Sequence, residues 1–328
     1  MKTLVTGANG FIGSAVVRLL LDKGDDVRVL VRPDSDRRNF DGLDIEIIEG
    51  DLTDIESLKS AVTGCNNLYH LAADYRLWIP DPDNMYKVNV DGTRDLIIEA
   101  TEAGVEKIVY TSSVATLGLN ENGTPADEST PVSIEDMTGH YKRSKFLAEE
   151  EVNKLIKERS CPVITVNPST PVGPRDIKPT PTGKIVLDTI RKRMPAYVNT
   201  GLNIVHVDDV ARGHLLAMNK GEIGERYILG GDNMTLASIL EYICISQDMS
   251  PPTIKLPHNL VLPIAWFMER IADITHKEPR ATVDSVNMSK KMMFFSSDKA
   301  KDKLGYQSRP GVEGLKDAID WFNKENYS

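Results

Sequence analysis

The sequence has few cysteines, no long apolar run and no excess of basic residues, and each shortage excludes a class of protein. Its three cysteines in 328 residues show no paired spacing, which argues against a disulfide framework or a zinc site and indicates a reducing compartment. The longest apolar stretch, residues 260–268, is too short to span a bilayer. A net charge of −9 argues against nucleic acid as a partner.

The rest of the composition is that of an ordinary globular protein. Hydrophobic residues make up 41% and charged residues 27% of the chain, and its length suffices for one large or two smaller domains. The N-terminus does not resemble a secretory leader, because glycines interrupt the apolar core that a leader requires. We therefore expect a cytoplasmic protein without a metal centre.

Three glycines at intervals of three follow the first predicted strand. Lys2 to Thr6 is a short apolar run typical of a buried parallel strand, and Gly7, Gly10 and Gly13 come before an apolar helical pattern. A glycine turn between a strand and a helix lets a pyrophosphate approach the main chain, while the helix N-terminus directs unpaired N–H groups at it. The pattern predicts a dinucleotide site.

The second predicted strand, residues 27–31, ends next to an arginine where NAD enzymes carry an acidic residue. Arg32 can stack on an adenine and pair with a 2′-phosphate, which favours NADP(H) as the cofactor. NAD(H) stays open as an alternative, because nearby carboxylates could bind the ribose hydroxyls: Asp34 and Asp36.

Strand and helix patterns alternate as far as residue 174, which predicts an α/β fold with a doubly wound parallel sheet. We assign residues 1–174 to the cofactor-binding core, with 201–231 returning to it. Residues 175–200 and 232–328 then form a smaller C-terminal lobe that covers the substrate.

A serine, a tyrosine and a lysine form the sharpest chemical signal. Ser113 follows the fifth predicted strand, at the sheet edge where α/β proteins place their chemistry, and Ser112 is its alternative. Tyr141 and Lys145 are four residues apart in a predicted helix and share one face. Because an ammonium group disfavours a protonated phenol, we expect a lowered pKa at Tyr141. Tyr141 would then exchange a proton with a substrate oxygen that Ser113 orients.

The chain resembles the extended short-chain dehydrogenase/reductase superfamily over essentially its whole length. The matching motifs are GANGFIG at 7–13, Asp51-Leu52, LAA at 71–73, YTSS at 110–113, YKRSK at 141–145 and HVDDV at 206–210. Two further segments are similar to its dihydroflavonol reductase-like branch, VLVRP at 29–33 and NPSTPVGP at 167–174. The segment HLAADYRLW at 70–78 is similar to the group called hopanoid-associated sugar epimerases.

The resemblance implies a Rossmann-type sheet, NADP(H) as cofactor, a small or lipid-linked substrate and a role in bacterial hopanoid lipid biosynthesis. It carries catalytic roles onto Ser113, Tyr141 and Lys145. It assigns cofactor contacts to Gly7, Gly10, Phe11, Ile12, Gly13, Arg32, Asp51, Leu52, Leu71, Ala72, Ala73, Tyr141, Lys145 and Pro168.

Two enzymatic functions stay open, and a cofactor-sensing protein without chemistry is disfavoured by the intact Ser-Tyr-Lys set. The first is an oxidoreductase that transfers a hydride at a secondary alcohol or ketone carbon, which Arg32 favours. The second is a sugar epimerase that oxidises its substrate transiently with bound cofactor. Epimerases carry a tyrosine where Leu117 stands and an arginine near residues 200–204, where this chain has none. Dehydratases carry an Asp-Glu pair where Val114 and Ala115 stand.

Two segments concern possible partners. Residues 256–268 could face a lipid or a membrane surface, or could form a buried amphipathic helix. Helices at 89–103 and 141–159 pair across a two-fold axis in many members of the superfamily, which predicts a homodimer.

Overall fold

The computed structural model describes residues 1–275 and 277–325. The strands are β1 (Lys2–Thr6), β2 (Asp26–Val31), β3 (Glu46–Glu49), β4 (Asn67–His70), β5 (Lys107–Thr111), β6 (Val163–Pro168), β7 (Thr170–Val172), β8 (Ala196–Val198), β9 (Gly201–His206), β10 (Arg226–Leu229), β11 (Asp232–Thr235), β12 (Ile254–Leu256) and β13 (Met292–Met293). The helices are α1 (Phe11–Asp22), α2 (Ile55–Val62), α3 (Pro82–Tyr86), α4 (Gly92–Glu102), α5 (Gly139–Arg159), α6 (Pro181–Ile190), α7 (Val207–Lys220), α8 (Leu236–Ser246), α9 (His258–Thr275), α10 (Val283–Met288), α11 (Asp298–Leu304) and α12 (Gly311–Lys324).

The main sheet is parallel and has seven strands in the order β10-β6-β5-β4-β1-β2-β3. The order reverses between β1 and β4, and such a switch point opens a crevice at the carboxyl ends of the strands. The predicted doubly wound α/β fold is confirmed.

Successive side chains of a strand point to opposite faces of the sheet, so the main sheet has apolar side chains on both faces. Helices cover both of these faces. Val5 belongs to the apolar core under α1 and α7, whereas its neighbour Leu4 belongs to the core under α2, α4 and α5. Burial on both faces explains why β1 and β5 are continuous apolar runs.

A second sheet stands apart from the main one. It contains β11, β9 and β13, with β7 added beside β9, and its core packs against α6, α8 and α12. The structure therefore divides residues 201–231, which the sequence assigned to the cofactor-binding core. Strand β9 lies in this second sheet, while α7 packs on α1 and β10 completes the main sheet. Of the predicted C-terminal lobe, residues 276 and 326–328 lie outside the described residues.

Helix α9 packs mainly against α10. Of its residues only Ala265 and Ala272 are fully buried, and the remainder of the apolar segment stays largely at the surface. The buried amphipathic helix that the sequence allowed for residues 256–268 is therefore wrong. Among the described residues no helix is both long and apolar enough to cross a membrane.

Candidate active site

The glycine turn after β1 lies directly against the end of β4. Gly7 has φ +69°, and a Cβ there would stand 2.6 Å from the backbone nitrogen of Ala72. A Cβ on Gly13 would stand 2.1 Å from the carbonyl oxygen of Gly7. The N–H of Gly10 donates to that same oxygen over 3.0 Å and closes the turn. The turn has no room for side chains, so its main chain is exposed to the crevice above.

Helix α1 begins at this turn with an uncompensated positive end. Its N-cap residue Gly10 offers no side-chain acceptor, and no acidic residue occupies the first turn. Within the described part of the chain, the backbone N–H groups of Phe11, Ile12 and Gly13 have no hydrogen-bond partner. Free amides at a helix N-terminus bind phosphate groups. The residues present therefore fit the pyrophosphate of a dinucleotide.

Three arginines stand near the end of β2, and two of them are already paired. Arg37 forms an ion pair with Glu49, and Arg38 forms one with Asp36. Arg32 directly follows β2 and is exposed, and no described residue forms an ion pair or a side-chain hydrogen bond with it. Its guanidinium group is free to receive a phosphate from solvent.

The other residues predicted to touch the cofactor also lie at the carboxyl ends of the strands. Asp51 follows β3 and binds the backbone and hydroxyl of Thr53 through Oδ1, at 2.9 and 2.7 Å, while α2 is capped by Asp54 instead. The backbone N–H of Ala72 donates to Thr6 Oγ1 over 3.2 Å. The remaining predicted contacts follow or end these strands: Leu52, Leu71, Ala73 and Pro168.

Ser113 and Tyr141 are neighbours beside β5. Ser113 Oγ accepts from the backbone N–H of Ala115 over 3.1 Å, which leaves its own proton available for donation. Burial of the phenol raises the pKa of Tyr141, and the Ser113 hydroxyl only partly opposes this effect. The expected lowering of that pKa is therefore wrong for the chain by itself, and Tyr141 carries its proton at neutral pH.

Lys145 is buried one helical turn beyond Tyr141. Its ammonium group donates to Tyr110 OH and to the carbonyl oxygen of Thr111, both over 2.9 Å. Desolvation lowers its pKa to about 7, although the nearby charge of Glu149 works in the opposite direction. A lysine in this state changes its charge near neutral pH. Its engagement with β5 also explains why it does not dominate the pKa of Tyr141.

Glu149 lies one further turn along α5 and fixes the segment that carries Ser113. Its Oε2 accepts from Ser112 Oγ, Thr116 Oγ1 and Asn167 Nδ2, at 2.5, 2.9 and 3.1 Å. Asn167 Nδ2 also donates to the carbonyl oxygen of Ser113 over 3.0 Å. Because Ser112 is committed to this network, the geometry favours Ser113 over Ser112 as the residue that faces Tyr141.

The other carboxylate oxygen of Glu149 faces a separate cleft. It accepts from Arg226 Nη1 over 3.2 Å. The cleft has a volume of about 680 Å³, and its lining includes neither Ser113 nor Tyr141. Glu149 therefore links the serine segment to the far side of α5.

Comparison with known proteins identifies the family to which the chain belongs. The NAD dependent epimerase/dehydratase family matches residues 3–230. The chain belongs to this family. Within it, the chain is 42% identical over 327 residues to a protein of Synechocystis sp. that carries the provisional name dihydroflavonol 4-reductase, covering 98% of this chain and 95% of that one. These matches confirm the resemblance to the extended superfamily and its dihydroflavonol reductase-like branch.

Two further relatives cover nearly the whole chain. The protein named sterol demethylase protein B from Methylococcus capsulatus is 35% identical over 326 residues, covering 99% of both chains. The crystal structure titled gox2253 superposes with a TM-score of 0.89 at 55% identity and covers 98% of both chains. The similarity to these two proteins therefore extends through the C-terminal part of the chain, beyond the residues that the family matches.

Asn89, like Glu149, is a residue of the site that the sequence analysis missed. Asn89 is buried in a π-helical turn that precedes α4. Its Oδ1 accepts from the backbone N–H of Asp74 over 2.7 Å, and its Nδ2 donates to Ser144 Oγ over 2.9 Å. It thereby ties the loop after β4 to the helix of Tyr141. A polar residue inside an otherwise apolar helical stripe was the available signal.

Proposed function

We propose that the chain is an NADP(H)-dependent oxidoreductase that reduces a ketone, or oxidises the matching secondary alcohol, on a lipophilic substrate. The observation that carries the proposal is the Ser113–Tyr141 pair, whose phenol keeps its proton at neutral pH. A protonated phenol beside a serine hydroxyl is suited to act as the acid in carbonyl reduction. The free amides of α1 and the unpaired Arg32 support NADP(H) as the cofactor.

The glycine turn, the amides of α1 and Arg32 would hold the cofactor, which would supply the hydride for the carbonyl carbon when bound. Ser113 Oγ donates a hydrogen bond to the carbonyl oxygen and orients it. Tyr141 transfers its phenolic proton to that oxygen as the carbonyl double bond becomes a single bond. The ammonium form of Lys145 stabilises the phenolate that remains, because an opposite charge nearby favours the ionised form.

For the substrate we propose a polycyclic lipid of the hopanoid or sterol kind. The similarity of residues 70–78 to hopanoid-associated proteins supports this class, and so does the full-length relative named for sterol demethylation. Sugar epimerisation is the alternative. It receives less support, because Leu117 is buried in a small apolar cluster and the strand around residues 201–204 carries no arginine.

The test is NADPH consumption by the purified protein with hydrophobic ketones and, separately, with nucleotide sugars. Reduction of a ketone with one NADPH oxidised per alcohol formed supports the proposal. Tyr141→Phe should lower kcat by at least ~100-fold, since it removes the acid. Tyr306→Phe is the matched control, because the hydroxyl of Tyr306 is buried and has no hydrogen-bond partner among residues 1–275 and 277–325. Epimerised sugar with retained cofactor and no net NADPH oxidation would refute the proposal.

A further inference from the structure

Helix α9 exposes more large apolar side chains than any other described element. Of the fourteen such exposed side chains in the described residues, six lie within its eighteen residues. Phe267 is 61% and Ile274 is 80% exposed. The other four are Leu260, Ile264, Trp266 and Ile271. Scattered exposed apolar residues are normal, whereas a concentrated patch marks an interaction surface.

The exposed apolar residues of α9 form a stripe along one side of the helix. Leu260, Ile264, Phe267, Ile271 and Ile274 follow one another at intervals of four, three, four and three residues. These intervals keep side chains on one helical face. The opposite face of α9 holds Ala265 and Ala272 against the protein. The helix therefore lies flat on the protein and presents a continuous apolar face to its surroundings.

The segment around this stripe has the opposite charge to the rest of the protein. Residues 254–291 contain six Lys and Arg against four Asp and Glu, a net charge of +2 in a chain of −9. The remaining residues therefore carry −11. Four of the cations are exposed in the chain segments before and after α9: Lys255, Lys277, Lys290 and Lys291. An apolar stripe in a segment of net positive charge complements an anionic lipid surface.

The helix that carries the stripe is also connected to the helix of the candidate active site. Glu269 of α9 accepts from the backbone N–H of Val283 over 2.9 Å, which fixes α9 on α10. Asp284 of α10 in turn reaches Gly139, where a Cβ would stand 2.7 Å from its Oδ2. Gly139 begins α5 and precedes Tyr141 by two residues. The apolar stripe is thus one short helix away from the catalytic helix.

We infer that the stripe on α9 docks this protein on the surface of an anionic lipid bilayer. A second copy of the chain is a poorer occupant, because a two-fold pair brings the same patch together with itself. Two segments of net positive charge would then face each other. This inference goes beyond the proposed function and does not depend on it, since lipid binding needs neither cofactor nor substrate.

The test is flotation of the full-length protein with vesicles of phosphatidylcholine alone or mixed with phosphatidylglycerol. The wild type should float with the anionic vesicles, bind them less at high salt, and show tryptophan emission at a shorter wavelength when bound. The triple variant Ile264→Ser, Phe267→Ser, Ile271→Ser should lose at least tenfold in bound fraction. The matched control is Ile245→Ser, which alters an equally exposed isoleucine on α8 and should bind like the wild type.

Two results would overturn the inference. One is wild-type protein that stays unbound with both vesicle compositions. The other is a triple variant that binds vesicles normally but changes from dimer to monomer in sedimentation, which would make the stripe a contact between copies. NADPH-dependent reduction of a water-soluble ketone should persist in the triple variant, because these side chains lie outside the catalytic set. Loss of vesicle binding is therefore distinguishable from failure of the proposed function.

Discussion

Glu149 offers the sharpest test of how α5 organises the site, through the substitution Glu149→Gln. Tyr141, Lys145 and Glu149 occupy successive turns of one helical face. Glutamine keeps the size of the side chain and removes its charge. The change therefore leaves packing intact while it alters two things, the hydrogen bonds to the serine segment and the electrostatic support of Lys145.

The cost in stability follows from the loss of the carboxylate. Glu149 Oε2 accepts from three donors, and a neutral amide oxygen accepts from the same donors more weakly. The new amide nitrogen faces the guanidinium group of Arg226, which loses its acceptor at a cost of ~1–3 kcal/mol. We expect the free energy of unfolding to fall by about 2–5 kcal/mol.

The cost in catalysis follows from the position of Ser113. Asn167 joins Glu149 to the carbonyl oxygen of Ser113, and a misplacement of about 1 Å in a reacting group costs up to ~100-fold in rate. We expect kcat to fall by roughly 10- to 100-fold. The KM for NADPH should stay unchanged, because the glycine turn belongs to a different strand.

The pH profile separates this role from a purely structural one. Glu149 raises the pKa of Lys145 against a larger desolvation effect that brings it to about 7. Without that charge the pKa of Lys145 falls further, so the loss of ketone reduction with rising pH should begin at a lower pH. Steady-state kinetics from pH 5 to 9 measure this shift. Glu150→Gln is the matched control, since Glu150 is the exposed neighbour on the same helix. A Glu149→Gln enzyme with the turnover and pH profile of that control would refute the reasoning.

Three further changes test other parts of the site. Arg32→Ser should raise the KM for NADPH roughly 10- to 150-fold, because one charge-assisted hydrogen bond is worth ~1.5–3 kcal/mol, and should leave the KM for NADH unchanged. In the control Arg37→Ser, which changes an arginine that is already paired, neither KM should change. Gly7→Ala should prevent cofactor binding and lower the melting temperature, whereas Gly24→Ala, at a similar φ of +80° but with open space, should only add modest strain. Folding lowers the pKa of Lys145 to about 7. Between that pH and the usual pKa of a lysine, Lys145 is charged in the unfolded chain and neutral in the folded one, so the free energy of unfolding rises with pH. Denaturant unfolding should show that the free energy of unfolding of the wild type rises by up to about 1.4 kcal/mol per pH unit relative to Lys145→Met across this window.

The sequence was sufficient for those parts of the fold that local patterns encode. Strand β1 has the predicted bounds, and α5 ends at the predicted residue, Arg159. Short apolar runs bounded by glycine and long helical stripes are local signals. The glycine turn could also be predicted from the sequence, because a Cβ on any of its three glycines would come close to neighbouring backbone atoms.

The remainder depends on contacts between residues that are far apart in the chain. Sequence patterns placed β9 with the main sheet, but strand pairing depends on which edges are free, and β9 pairs with β7, β11 and β13 instead. The direction of the Tyr141 pKa shift was missed because spacing along a helix does not reveal burial or the partners of Lys145. The roles of Asn89 and Glu149 were missed for the same reason.

The two proposals reinforce each other through the C-terminal lobe. Moving a lipophilic substrate into water costs ~25 cal/mol of free energy for each Å² of apolar surface that becomes exposed. A site that is reached directly from a bilayer avoids most of that cost. In this chain α9 carries the apolar stripe, α10 joins it to the first residue of α5, and α5 carries Tyr141 and Lys145. Because two contacts connect α9 to the helix of the proton donor, docking on lipid and delivery of the substrate carbonyl would involve the same connected set of helices.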